Sequence, residues 1–173
     1  MDILRGRRRA QLPPATVAAR CRDVARRRRD LLITTLIDDR IALTVPPGEV
    51  AILSAIEVDN LRDHLRTAAF NSAGALLDDE RGLVPPPNLM RIEVPCADAA
   101  SRRRTLTIVS AVDQPVTLLA PAGGIAVLWI SQIGHLRYLL RQAQLRVADA
   151  SSGDEVMQAA SSVRDHNLMV AAV

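Results

Sequence analysis

The chain has 173 residues, 49% of them hydrophobic, with 22 basic against 19 acidic side chains and a net charge of +3. That is enough for one ordinary domain or two small ones, but with a single Phe, Trp and Tyr the core has to be built from Leu, Ile, Val and Ala. The longest apolar stretch, Val116 to Ile130, is broken by Pro121, Gly123 and Gly124 and falls short of the roughly 20 residues of a membrane-spanning helix.

The start of the chain is Arg-rich and lacks the apolar run of a secretory signal, and two cysteines are too few for a disulfide scaffold, so a cytoplasmic protein without membrane contact is expected. All 22 basic residues are Arg, which points to a GC-rich, bacterial coding sequence. Residues 1–29 hold ten Arg and two Asp, whereas residues 30–173 hold twelve Arg and seventeen acids. The basic N-terminal end is thus a separate electrostatic feature.

Shifted by 75 positions, residues 13–69 align with 88–144 without a gap. The first parts pair Cys21/Cys96, Asp23/Asp98, Arg27-Arg28-Arg29 with Arg102-Arg103-Arg104, Leu31/Leu106, Ile33/Ile108 and Asp38/Asp113. The second parts pair Leu43/Leu118, Pro46/Pro121, Gly48/Gly123, Leu53/Leu128, Leu61/Leu136, Arg62/Arg137 and Leu65/Leu140. The expected organisation is a basic disordered arm over 1–12, a first repeat over 13–69, an acidic and Pro-rich linker over 70–87, a second repeat over 88–144 and an extension over 145–173.

Within each repeat the pattern predicts four strands and a helix. The first strand covers 16–21 (91–96) and ends at Asp23 (Asp98), whose short carboxylate suits a turn. The second runs from the Arg triplet through Leu31, Ile33 and Ile37 (Leu106, Ile108, Val112), with Thr35 (Ser110) on the same side, a period-2 spacing with β-branched enrichment. Asp38 and Asp113 mark the next turn, and the third strand covers 41–45 (116–120). Pro46-Pro47-Gly48 and Pro121-Ala122-Gly123 then reverse the chain, because Pro fixes φ and Gly accepts φ > 0. The fourth strand covers 50–53 (125–128).

A helix over 55–69 starts from Ser54-Ala55-Ile56-Glu57, the S-x-x-E form of a capping box, with an apolar stripe at Val58, Leu61, Leu65 and Ala68. The second helix, over 130–144, repeats the stripe as Ile133, Leu136, Leu140 and Ala143, but Trp129 stands where the capping Ser would be and Gly134 weakens its first turn. Each helix is expected to bury its stripe against its own sheet or against the other helix. In the extension, 145–153 reads as a loop and 154–165 as a short helix, and the apolar 168–173 suits either a further strand or docking on a partner. The fold class is α+β: two tandem ββββα repeats forming a pseudo-twofold pseudo-dimer of antiparallel sheets with packed helices.

The chemistry-bearing motifs are few. There is no G-x-S-x-G, phosphate-binding loop, G-x-G-x-x-G or metal-spaced Cys/His cluster, so neither an enzyme nor a cofactor or metal site is expected. His64 and His135 have no counterpart in the other repeat and read as solvated helix residues. Cys21 and Cys96 read as buried small hydrophobes at strand ends, and Arg62, Arg66, Arg137 and Arg141 as helix-surface residues lying along the apolar stripe.

The remaining feature is the set of Arg clusters: Arg7, Arg8 and Arg9 in the arm, Arg27, Arg28 and Arg29 in the first repeat with Arg20 and Arg22 nearby, and Arg102, Arg103 and Arg104 in the second. A guanidinium is always charged and meets phosphate with two parallel donors, so triplets at equivalent points of a duplicated fold make a two-part surface for nucleic acid. The competing interpretation is strand ends kept charged to discourage edge pairing.

Four curved strands followed by a helix, with Pro47 to Ser54 leading into Val58 to Leu65, resembles the transcriptional coactivator family called positive cofactor four. Two such units in one chain are similar to the plant Whirly arrangement. The resemblance covers 13–69 and 88–144 and implies single-stranded DNA or RNA binding across the sheets, with a transcription-associated role. The chain departs from that family in two ways: its strands carry no aromatic side chain save Trp129 at the end of the last, and its basic surface is Arg where the family's is typically Lys. The alternative expectation is a non-enzymatic scaffold that assembles with itself or a protein partner through a sheet edge, a helix face or the C-terminal apolar end.

Overall fold

The computed structural model describes residues 15–36, 38–74 and 89–170, with side chains up to residue 150. Its element order is β1 (Thr16–Arg22), β2 (Arg28–Thr35), β3 (Ile41–Val45), β4 (Glu49–Leu53), α1 (Ala55–Ser72), β5 (Leu89–Ala97), β6 (Arg103–Ala111), β7 (Val116–Leu119), β8 (Ile125–Leu128) and α2 (Ile130–Val170). Each four-strand set is an antiparallel meander, and together the eight strands close into a barrel in sequence order. The arm residues Arg7, Arg8 and Arg9, Ile37 of the expected second strand, residues 75–87 of the expected linker and residues 171–173 of the apolar end lie outside the described residues.

Alternation along the strands decides which side is buried. Ala19 and Cys21 of β1, Leu31 and Ile33 of β2, Leu43 and Val45 of β3 and Ala51 and Leu53 of β4 point inward. Val94 and Cys96, Leu106 and Ile108, Leu118, and Ala126 and Leu128 do the same in the second half. The two joins between the four-strand sets are narrow. β4 pairs with β5 at Ile52↔Ala97, and β8 pairs with β1 at Arg22↔Val127.

The helices close the core across those joins. Val58, Leu61, Leu65 and Ala68 of α1, and Ile133, Leu136, Leu140 and Ala143 of α2, are all buried, and they share a single apolar cluster with the inward strand residues of both halves. The expectation that each helix covers its own sheet is corrected here: α1 lies on β5 and β6, and α2 on β1 and β2. The alternative, helix against helix, holds as well, because α1 and α2 pack together in opposite directions. Gln144 Nε2 of α2 donates to the Ala55 carbonyl at the start of α1 at 3.0 Å, while mid-helix Arg137 Nε donates to the Arg62 carbonyl at 2.9 Å.

This crossing also corrects the reading of the helix arginines. Arg62 and Arg137 sit half-buried in the seam between the helices, and only Arg66 and Arg141 are exposed. Arg62 reaches Asp59 at 2.8 Å and Gln144 Oε1 at 3.2 Å, while its Nε is buried with no hydrogen-bond partner. Burial, and then the like charges of Arg62 and Arg66, hold Arg137 below the usual guanidinium range.

Both helices outrun the expected limits. α1 continues through Phe70, Asn71 and Ser72 because its end is anchored on the other half: Asn71 Nδ2 donates to Ser110 Oγ at 3.0 Å, the Asp113 amide donates to the Ser72 carbonyl at 2.9 Å, and Ser72 Oγ donates to the Gln114 carbonyl. α2 runs unbroken through 145–153, where a loop is expected. Leu145 to Ala150 includes no helix breaker, and one Gly at 153 costs only about 1 kcal/mol. The capping box on α1 is complete, with Ser54 N–H donating to Glu57 Oε2 at 2.7 Å and Glu57 N–H to Ser54 Oγ at 3.4 Å. Half of it survives on α2, where the Trp129 amide donates to Gln132 Oε1 at 2.9 Å.

Where the β3–β4 and β7–β8 turns meet, the Ile125 amide donates to the Pro46 carbonyl at 2.9 Å, and buried Gly124 leaves no room for a side chain. A Cβ there would lie 2.9 Å from Glu49 Cβ and 3.1 Å from the Pro46 carbonyl oxygen. Gly124→Ala is therefore expected to lower stability by about 1–3 kcal/mol, the usual cost of overpacking. Gly134→Ala, on open helix surface with nothing within 4 Å, should raise it by up to about 1 kcal/mol. Urea midpoints of the two variants moving in the same direction would contradict this packing.

Candidate nucleic-acid interface

The two Arg triplets stand at the ends of the β1–β2 and β5–β6 hairpins, and both ends are built by the same local chemistry. In the first, the Asp23 amide donates to the Arg27 carbonyl at 3.0 Å and the Arg26 amide to the Asp23 carbonyl at 2.9 Å. In the second, Asp98 pairs with Arg102 at 3.0 Å and Ser101 with Asp98 at 2.9 Å. The turn needs one residue in the left-handed region, and it is Arg26 (φ 60°) in one and Ser101 (φ 59°) in the other. Neither is the glycine that conformation favours, so the aspartate side chain does the holding. Asp23 Oδ1 accepts from the Arg27 amide at 2.9 Å, and Asp98 Oδ1 from Ala100 and Arg102 at 2.9 and 3.0 Å.

The other carboxylate oxygen of each aspartate grips two members of the triplet. Asp23 Oδ2 accepts from Arg27 Nε at 2.7 Å and Arg29 Nε at 3.3 Å, and Asp98 Oδ2 from Arg102 Nε at 2.8 Å and Arg104 Nε at 3.1 Å. Burial raises the Asp23 pKa, but the Arg27 and Arg29 hydrogen bonds outweigh it and leave it below the ordinary carboxylate value. The Arg102 amide is the main cause that holds Asp98 at about 2. Both aspartates are thus ionised throughout the neutral range, in keeping with their reading as turn residues.

Such a clamp has two consequences. It consumes one donor of each held guanidinium and leaves the terminal nitrogens facing outward; the Arg27 and Arg102 side chains are 67% and 68% exposed. It also fixes the direction of those side chains before any ligand arrives, which lowers the ordering cost of binding. The middle residues, Arg28 and Arg103, are exposed and make no ion pair among the described residues. The hairpin ends are not equally basic: residues 20–30 hold six arginines against Asp23 and Asp30, whereas 95–105 hold three against Asp98.

No hydrogen bond or ion pair joins the two triplets among the described residues. The narrow joins of the barrel set each hairpin end beside the opposite half: Arg22 pairs with Val127, and Ala97 with Ile52. An open groove of about 620 Å³ runs from the first hairpin end across the outer face, lined by Arg27, Arg29, Leu32, Thr44, Pro46 and Ile125. The three aromatic residues, Phe70, Trp129 and Tyr138, lie on or at the start of the helices, half-exposed, and no strand carries one.

Among the described residues, no three His, Cys, Asp or Glu side chains gather as a metal site would require, and no helix is long and apolar enough to cross a membrane. Cys21 and Cys96 are free and buried, and burial pushes both thiols up to about 11. At neutral pH they are inert small hydrophobes, as their pattern predicts. Comparison with protein-family models, with curated proteins and with solved structures found no match.

Proposed function

We propose that the chain is a fused pseudo-dimer of two ββββα units that binds single-stranded nucleic acid, with little sequence selectivity, through the arginines of its two hairpin ends. The observation that carries this reading is the duplicated clamp: at two positions 75 residues apart, an aspartate holds the Nε atoms of two arginines and leaves their terminal nitrogens free to meet phosphate. The pseudo-twofold relation is supported by residues that meet their own repeat equivalents, Glu49 beside Gly124 and Arg62 against Arg137, and by the mutual crossing of the helices.

A second reading, an assembly protein without nucleic-acid affinity, has its own support in the outward helix faces. Ile56 and Phe70 on α1, and Tyr138 and Leu145 on α2, are exposed apolar side chains of the kind that seat a protein partner. Fluorescence anisotropy of a labelled single strand against salt separates the two. Phosphate contacts by Z arginines give a log–log slope of about −0.7Z. Binding that is absent at low salt, or that does not respond to salt, would leave the assembly reading in its place.

A further inference from the structure

The two halves differ where the last strand passes into the helix. Beside β1 and the first turn of α2 lies a hollow of about 440 Å³ lined by Arg20, Arg22, Arg28, Arg29, Asp30 and Gln132. The equivalent positions of the other half are Pro95, Ala97, Arg103, Arg104, Thr105 and Glu57. Four arginines around one aspartate on one side thus face two arginines and a glutamate on the other.

Trp129 does not line this hollow but adjoins it through Gln132. It follows β8 two residues after Val127, the position that pairs with Arg22 of β1. The Trp129 amide is bonded to Gln132, which lines the hollow, and its indole side chain is 52% exposed; the equivalent residue in the other half is Ser54. Arg20 and Arg28 make no ion pair among the described residues, and Arg22 spends one terminal nitrogen on the Arg26 carbonyl at 2.9 Å.

We propose that this hollow and the adjoining Trp129 form a nucleotide subsite, in which a base stacks on Trp129 beside the hollow while Arg20, Arg22 and Arg28 hold the adjacent phosphate, and that it occurs in one half of the chain only. The proposal rests on the nucleic-acid reading and sharpens it. The two hairpin ends supply salt-sensitive attraction along the backbone, and the Trp129 subsite supplies one gripped nucleotide per chain. A neutral aromatic face flanked by unpaired guanidinium groups matches the two faces of a nucleotide, apolar base and anionic phosphate. In the other half, Ser54 removes the stacking surface and Glu57 repels phosphate.

Trp129 is the only tryptophan, so its emission reports this site alone. The full chain is titrated with labelled oligothymidylate while label anisotropy and Trp emission are recorded together. The expected result is quenching that follows the anisotropy rise with one quenching strand per chain. Trp129→Ala should weaken binding by about five- to a hundredfold, the range for one stacked base, Trp129→Phe should recover most of it, and the Arg20→Ala/Arg28→Ala double variant should lose the quenching. Circular dichroism confirms that each variant is folded. An anisotropy rise with unchanged Trp emission, or Trp129→Ala binding as tightly as the parent, would overturn the subsite and leave the nucleic-acid reading standing. No anisotropy change at low salt would remove both. Trp emission that shifts with protein concentration and not with oligonucleotide would show the indole covered by a second copy, and would overturn the subsite as well.

Discussion

Replacing Leu65 or Leu140 with alanine is expected to destabilise the protein by about 2–5 kcal/mol. Both side chains have no exposed surface, and each lies on the helix stripe that covers the other half's strands, α1 on β5 and β6 and α2 on β1 and β2. Truncation removes the transfer free energy of the lost methyl and methylene groups and leaves a cavity whose walls belong to both halves of the chain. The barrel joins are single-position pairings, so the helices carry most of the cohesion between the halves. The two substitutions should therefore cost similar amounts, and the double variant should unfold in one cooperative step if it folds at all. Urea denaturation followed by circular dichroism measures this. A loss under about 0.5 kcal/mol for either variant would place that stripe in solvent and contradict the crossed packing.

Reversing Arg27, Arg28 and Arg29 to glutamate should abolish most single-strand binding at moderate salt, as should reversing Arg102, Arg103 and Arg104. Three lost phosphate contacts flatten the log–log salt slope by about 2, and each new carboxylate adds repulsion. The two reversals act at equivalent points, and each variant keeps Arg20, Arg22 and Arg26 together with the triplet of the other half. The two should therefore weaken binding by similar amounts. Reversal also puts two carboxylates against Asp23 or Asp98 in place of the clamp, so Arg27→Ala/Arg29→Ala serves as the control that breaks the clamp without adding negative charge. The core should survive every one of these changes, since all six arginines are exposed, and circular dichroism checks that survival. Unaltered binding by both reversed variants would remove the hairpin ends from the interface.

Much of the architecture was legible because it is written in short-range patterns. A period of two at Leu31 and Ile33 and at Leu106 and Ile108 can be satisfied only by a strand with one buried face, and all four residues are buried. The Pro-x-Gly turns and the Asp23 and Asp98 corners depend on backbone preferences that act over a few residues, so they stand where the sequence puts them. The Val58–Ala68 and Ile133–Ala143 stripes likewise state which face of each helix is apolar, and the 75-residue offset states that the two halves share their order of four strands and a helix. The arginine triplets are legible as clusters, but the clamp that orients them appears only once the hairpin brings Arg29 Nε within reach of an aspartate six residues away.

Short-range pattern therefore specifies the parts found among the described residues: eight strands, the starts and buried faces of two helices, and two exposed arginine clusters. How these parts are shared between the halves is set by long-range packing. The 75-residue sequence repeat makes the two four-strand sets of the barrel near-equivalent partners, so an apolar stripe on α1 fits either one, and nothing local distinguishes covering β1 and β2 from covering β5 and β6. The choice is made by what the crossed arrangement adds over long range, an antiparallel helix seam with Arg137 and Gln144 bonded to the α1 backbone and a helix end anchored at Ser110 and Asp113. The same holds for the pairing of Val127 with Arg22, residues more than a hundred positions apart. Their meeting depends on the closure of the barrel between its last strand and its first, a contact that no periodicity within the chain encodes.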